Sequence, residues 1–378
     1  MMGIFVDRSY RTLLGVGFYD RVSELDELGK LLQMFRTVVV YGPRNVGKSE
    51  LVKYWLRREG VHAAVIDARF YRDRSLLEEF GIKFIGIDVL DEFRGLVREI
   101  VKKLVDDGDR WGLASLVTFL AERILEISRA LRRPLYVFID EYHLLPRYRT
   151  TSRFSKFETA LDDLEALAAV LAKDPRYEDV RLILTVGEGF VATSLARRKL
   201  LGYSTSWLLV EPMDLEHFAK LYNEYRELRG CSIELEEVLG LVGALPGYLD
   251  ELCRLDREAL MSRVRTWLED LEIALSQARQ AIASKHELSP RETIRRTLSL
   301  LRNGIKPLED PVGLALGEAL TNHNVVYPKH SEKILIYRPQ LTIYETALEL
   351  ATEKRLSSIL DLDPHEVYRE TLKHTTKT

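Results

Sequence analysis

A chain of 378 residues is longer than one average domain, so two or three are expected. With 46% hydrophobic and 30% charged residues it can build a core in water, and no apolar run approaches the ~20 residues of a membrane-spanning helix. A formal net charge of −3 excludes binding to polyanions by overall charge, so any nucleic-acid contact has to come from a local patch.

The stretch Met1 to Arg8 carries no signal-peptide core, and cytoplasmic is the expected compartment. Residues 20–35 place Val22, Leu25, Leu28, Leu31 and Leu32 on one stripe and predict an amphipathic helix capped by Ser23 or Asp20. Thr37 to Tyr41 is short, apolar and β-branched, which predicts a buried strand. Gly42-Pro43-Arg44-Asn45-Val46-Gly47-Lys48-Ser49 follows at once, and Glu50 to Arg58 then shows apolar residues at helical spacing. Strand, glycine loop and helix is the context that makes this pattern a phosphate-binding site. Gly42 and Gly47 let the backbone turn tightly, so that successive amides converge on nucleotide phosphates. The helix aims its N-terminal dipole at the same anion. Lys48 reaches the outer phosphates and the Ser49 hydroxyl ligates Mg²⁺. Gly42 to Glu50 is thus the expected nucleotide-binding set.

Val61 to Asp67 predicts a second strand, and helices are expected at about 89–106 and 112–132. Leu135 to Glu141 is another buried-strand run, and it ends in two adjacent acids, Asp140 and Glu141. In nucleotide hydrolases of this architecture the first acid supports Mg²⁺ and the second orients and deprotonates the attacking water. His143 beside the pair reads as structural or solvent-facing. The segment from Arg147 to Lys156 holds four cations and two aromatics: a loop that tracks a phosphate backbone, contacts a protein, or is simply solvated. A helix at 156–173, a strand from Arg181 to Val186 and a last strand from Leu208 to Val210 complete an α/β pattern with a mostly parallel sheet.

From Leu215 the chain reads as helices only, roughly 215–229, 234–242 and 247–287 with breaks. Cys231 and Cys253, 22 residues apart without other ligand types nearby, exclude a disulfide framework and give no zinc spacing, so a reduced intracellular location is expected. Residues 289–345 hold two helices and then two short strands around Pro328 to Lys333, the order of a winged-helix module. Its helix before the hairpin, Pro311 to Asn322, contains Glu318 and no Lys or Arg, which argues against strong sequence readout of DNA. Residues 346–378 read as a polar helical tail. The expected organisation is therefore a core at 1–212, a helical lid with connecting helix at 213–288, a winged-helix-like domain at 289–345 and the tail.

Together these motifs resemble the archaeal-type ATPase family, a branch of the signal-transduction ATPases related to the AAA+ proteins. Phe18-Tyr19-Asp20-Arg21-Val22-Ser23-Glu24-Leu25 is similar to the family's Phe-x-x-Arg-x-x-Glu-Leu segment, which implies that Phe18 and Arg21 lie by the nucleotide base. The glycine loop matches with Asn45 in place of a second Arg, which removes a charge but not the backbone cradle. Val65 to Arg69 resembles the strand that follows, Asp140-Glu141 the acidic pair, and Leu182 to Thr185 the sensor strand. That resemblance implies that Thr185 bonds the γ-phosphate or the water. The departure lies in Val186-Gly187-Glu188-Gly189, where relatives continue Gly-Ser-Ser; Glu188 near that phosphate repels it unless turned away. Gly243-Ala244-Leu245-Pro246-Gly247-Tyr248-Leu249 resembles the lid motif and implies that Pro246 sits beside the nucleotide. Arg197 and Arg198 stand where relatives carry an Arg. They stabilise transition-state charge in cis or toward a neighbouring subunit, or with Lys199 form a solvated basic turn.

The resemblance implies a Mg²⁺-dependent ATPase with ATP and ADP as ligands, switching a C-terminal interaction module that meets a protein partner. Alternatives are a DNA-binding ATPase resembling replication initiators and a protein with a structural nucleotide. Monomer or oligomer is left open.

Overall fold

The structure is a computed structural model that describes residues 5–72, 82–86, 134–144, 153–187, 205–283, 286–305, 309–331 and 334–375. The helices expected at 89–106 and 112–132, the loop at 147–152, and Glu188, Arg197 and Arg198 lie outside the described residues.

The chain opens with β1 (Val6–Asp7) paired antiparallel to β2 (Phe18–Tyr19). Then come α1 (Val22–Met34), β3 (Thr37–Tyr41), α2 (Lys48–Arg58), β4 (His62–Asp67), β5 (Ile82–Ile85), β6 (Leu135–Asp140), α3 (Arg153–Lys173), β7 (Val180–Thr185) and β8 (Thr205–Leu209). Six of these strands form one sheet in the order β5-β4-β6-β7-β3-β8. Every neighbouring pair is parallel except β4 with the edge strand β5, which the sequence reading lacks. Val38, Val39 and Val40 of β3, Val137 to Ile139 of β6 and Leu182 to Leu184 of β7 are all fully buried. Such continuous apolar runs suit strands covered on both faces. The order places β7 between the strand that carries the glycine loop and the strand that carries the acids. Register pairs Val40 with Thr185, Leu184 with Ile139 and Asp140 with Asp67. The carboxyl ends of four strands thus lie side by side, the edge at which open α/β sheets bind ligands.

Helix α1 starts differently from its prediction. Its N-cap is Arg21 at φ 69, with no side-chain cap, and Ser23 lies inside the first turn where it donates to Glu24 at 2.7 Å. Neither Ser23 nor Asp20 is the cap. Val22 is 42% exposed, so the buried stripe begins at Leu25.

Contacts divide the chain into two compact units. One comprises Arg21–Tyr41 and Lys48–Val210, and the other the segment up to Asp20, Gly42–Gly47 and everything from Glu211. The second unit is mainly helical: α4 (Leu215–Arg229), α5 (Leu235–Val242), α6 (Leu249–Leu252), α7 (Arg257–Ile282), α8 (Pro290–Asn303) and α9 (Pro311–Asn322). Caps account for several starts, with Asp214, Asp256, Ser289 and Asp310 each accepting a backbone N–H from the first turn. The antiparallel pair β9 (Val326–Ser331) and β10 (Ile334–Pro339) follows α8 and α9, the helix–helix–hairpin order of a winged-helix-like module. Gly317 of α9 lies so close to Tyr337 that a Cβ would stand 2.4 Å from the ring, so glycine lets α9 seat on β10.

Two expectations are corrected here. Cys231 and Cys253 form a disulfide, their Cα atoms 4.5 Å apart because the chain leaving α4 meets the end of α6. A spacing of 22 residues carries no trace of that approach. The polar helical tail expected at 346–378 is helical, as α10 (Thr342–Glu353) and α11 (Pro364–Thr375), but the two helices are packed and carry buried apolar residues. Leu348, Ala351, Ile359, Leu362, Val367 and Tyr368 are buried, and Arg257 lies over the Tyr368 ring at 4.4 Å. Glu318 is half-buried on α9. Burial alone pushes its carboxyl up to about 7.

Among the described residues no helix is long and apolar enough to cross a membrane.

Candidate phosphate-binding site

The glycine loop leaves the carboxyl end of β3 and enters α2, whose first residue is Lys48. Three of its residues have positive φ: Gly42 at 144, Asn45 at 65 and Gly47 at 101. Asn is among the few side chains enriched in the left-handed region, which explains Asn45 where the resembled pattern has Arg. A Cβ on Gly47 would meet nothing within 4 Å, so the turn before the helix is open on that side. An anion fits such a cradle at a helix N-terminus. Gly42, Pro43, Val46 and Lys48 are buried, Asn45, Gly47, Ser49 and Glu50 half-buried, and Arg44 exposed.

Two contacts on this loop come from residues to which the sequence assigns no role of their own. The Gly247 N–H donates to the Asn45 carbonyl at 3.0 Å, and a Cβ on Gly247 would stand 2.7 Å from the Asn45 Cβ. Pro246 opens this short turn, Pro246–Tyr248, and is half-buried, but its glycine neighbour makes the close approach. The Arg44 N–H donates to Gln340 Oε1 at 3.0 Å. Gly247 sat inside a recognised motif, whereas nothing in the sequence singles out Gln340.

In the sheet unit Asp140 is the centre. It is fully buried, and its Oδ1 accepts from the Ser49 hydroxyl at 2.6 Å and from the Thr185 hydroxyl at 2.5 Å. Its Oδ2 faces two cations, Arg69 Nη2 at 3.4 Å and Lys53 Nζ at 3.8 Å. Arg69 in turn grips Asp67 with Nε at 2.8 Å and Nη2 at 2.5 Å. Those hydrogen bonds hold the Arg69 guanidinium above its already high range, burial opposes them, and the Asp140 charge adds to them. Ser49 and Asp140 together offer hard oxygen donors in contact, the donor set Mg²⁺ takes. Sequence reading supplied Asp140 and Ser49 but no role for Asp67, Arg69 or Lys53.

Glu141 stands at φ 55 just past the strand, and its N–H donates to Thr185 Oγ1 at 2.8 Å. Thr185 therefore commits its hydroxyl proton to Asp140 and its oxygen to Glu141, bracing the acidic pair. His143 Nδ1 accepts from the Gly187 N–H at 3.2 Å, which leaves the proton of the neutral ring on Nε2, 3.6 Å from Glu141 Oε2.

Phe18 is 4% exposed in β2 and packs edge-on against Tyr10 at 6.1 Å. Arg21, 5% exposed, pairs with Glu24 at 2.8 Å. Burial works against the Glu24 charge, yet the Arg21 ion pair wins and holds that carboxyl below its usual range.

Comparison with known proteins bears on this geometry. The family model described as an ATPase domain predominantly from Archaea matches residues 18–252. Among solved structures, the Walker-type ATPase of Pyrococcus abyssi is similar at 21% identity and a TM-score of 0.52, over 88% of this chain and 96% of that one. Aeropyrum pernix ORC2 in its ADPNP–ADP complexes is 15% identical with a TM-score of 0.43, over 100% of both chains. The ORC1 protein of Aeropyrum pernix in complex with DNA is 18% identical with a TM-score of 0.37, over 89% of this chain and 92% of that one. No curated protein matches this chain.

Proposed function

The chain belongs to the family of ATPase domains found predominantly in Archaea, and from that premise we propose that it is a Mg²⁺-dependent ATP hydrolase that works as a molecular switch. The observation that carries the chemistry is the fully buried Asp140 in contact with the Ser49 hydroxyl. A buried carboxylate is costly unless it is compensated, and here hydroxyls and cations compensate it at a strand end. The loop amides and Lys48 hold the phosphates. Ser49, backed by Asp140, holds Mg²⁺, which when bound draws charge from the phosphate oxygens. Glu141 accepts the proton of the attacking water as its oxygen bonds to the terminal phosphorus and the bond to the ADP oxygen breaks. The His143 Nε2–H, fixed by the Gly187 N–H on the opposite nitrogen, faces Glu141.

The switch rests on the loop contacts. Asn45 is touched by Gly247 and Arg44 by Gln340, so a change in the loop on binding or loss of phosphate changes contacts of the C-terminal part of the chain. Differential contact of this kind is the free energy a switch uses, ordinarily about 1–3 kcal/mol. Arg197 or Arg198 supplies transition-state charge in this reading, Thr185 braces the acids, and Phe18, Arg21 and Pro246 flank the nucleotide. A protein partner of the C-terminal module receives the signal.

ATP turnover with Mg²⁺, by the parent chain and Glu141→Gln, tests the proposal. Glu141→Gln keeps shape and hydrogen bonding but removes the base, so ATP stays bound while turnover falls about a hundredfold or more. Turnover at the parental rate assigns the proton transfer to another residue.

A further inference from the structure

Gln340 follows β10 and is 4% exposed, an unusually deep position for a side-chain amide. Its backbone is pinned, the N–H donating to the Val325 carbonyl at 2.8 Å. Its neighbours are held too: Leu341 is 2% exposed, and Thr342 Oγ1 lies 3.1 Å from where a Gly243 Cβ would stand. The side-chain oxygen accepts the Arg44 N–H of the phosphate loop at 3.0 Å. Because that partner is a donor, it fixes which end of the amide is oxygen, and Nε2 has to be the other end. Among the described residues Nε2 is buried without a hydrogen-bond partner. A buried NH₂ group left without an acceptor is costly, and native proteins rarely keep one without a reason.

We propose that Gln340 is a phosphate ligand of the bound nucleotide, donated by the winged-helix-like module: Oε1 anchors on Arg44 and Nε2 donates to a phosphate oxygen seated on the loop. The proposal rests on the nucleotide-binding reading and adds a residue to it. It accounts for three facts together: the burial of a polar side chain, the unpaired donor, and the anchoring of that amide to the loop that the proposed function assigns to the phosphates. It also gives the C-terminal module a direct hold on the ligand. Nucleotide then bridges the loop and β10, and its loss leaves Nε2 unpaired.

The test separates a ligand from a mere brace. Glu in place of Gln340 still accepts the Arg44 N–H, so a brace survives Gln340→Glu; a ligand does not, because a carboxylate then faces phosphate. Equilibrium binding of fluorescent ADP and of a non-hydrolysed ATP analogue to the full chain at pH 8 is measured for the parent, Gln340→Glu, Gln340→Ala and Lys48→Ala. The proposal expects Gln340→Glu to lose about tenfold or more in affinity, and more than Gln340→Ala loses. Gln340→Glu binding as tightly as the parent while Gln340→Ala weakens overturns it and leaves Gln340 a brace. If the parent binds neither nucleotide, the underlying reading fails instead. Melting of each variant without nucleotide checks folding. Should Gln340→Glu not fold, Gln340→Met, which fills the same space without a donor, takes its place: parental affinity overturns the proposal and a loss of about tenfold supports it.

Discussion

Asp140 and Glu318 are two acids withdrawn from water, one in each compact unit, and their surroundings differ in kind. Asp140 receives two hydroxyl protons and faces two cations, contributed by α2, β7 and the chain after β4. Glu318 is pushed up to about 7 by burial alone, with no cation among the causes. The first environment is built to hold charge and the second tolerates its loss. A buried carboxylate marks chemistry only when the fold brings partners for its charged form, which separates the strand end from an acid that happens to sit in a packed helix.

The sharpest way to break this contrast is to remove the charge at Asp140. Asp140→Asn keeps the size but leaves Arg69 and Lys53 without their shared partner, and it weakens the donor set behind Ser49. Mg²⁺-dependent ATP affinity should fall by about tenfold to a hundredfold, while nucleotide binding without metal falls less. Equal losses with and without Mg²⁺ would remove the metal role from Asp140. A smaller effect is expected from Gly247→Ala, whose methyl meets the Asn45 Cβ and carbonyl at 2.7 and 2.9 Å. Overpacking of this sort costs about 1–3 kcal/mol, read as a lower melting temperature together with weaker nucleotide binding. Unchanged melting and binding would mean that the loop gives way freely.

The least effect belongs to Glu318, and it depends on pH. The unfolded chain releases this proton near the ordinary 4.5 and the folded chain near 7, so between those values the folded state binds more protons. Stability from this group is therefore full below 4.5 and is lost as pH rises through 7. Glu318→Gln removes the loss: the variant should match the parent near pH 4.5 and exceed it at pH 8. The gain, discounted for the partial exposure of the group, is about 1–2 kcal/mol. A gain independent of pH would place the effect in packing.

Legibility in the sequence followed how local the cause was. The buried strands β3, β6 and β7, the glycine loop and helix α4 are written in contiguous residues, and each lies where its pattern puts it. Asp140 was readable because strand ends bind ligands. Contacts between distant segments were not readable: Arg69 reaches across 71 residues to Asp140, and Arg44 across 296 to Gln340. The Cys231–Cys253 bridge is of the same kind, since pairing depends on the approach of two chain segments rather than on spacing. The C-terminal tail was legible as helical, but its burial was not, for a subtler reason. Val367 and Tyr368 supply a narrow apolar stripe, and the polar residues around it dominate the composition.

Titration of MgATP into the parent chain and into Lys48→Ala tests the central claim most directly. Nucleotide binding by the loop predicts saturable binding to the parent and a loss of about tenfold or more in Lys48→Ala, with folding intact by melting. Equal affinity in two folded proteins would contradict the account, because the loop and its lysine would then not hold the nucleotide.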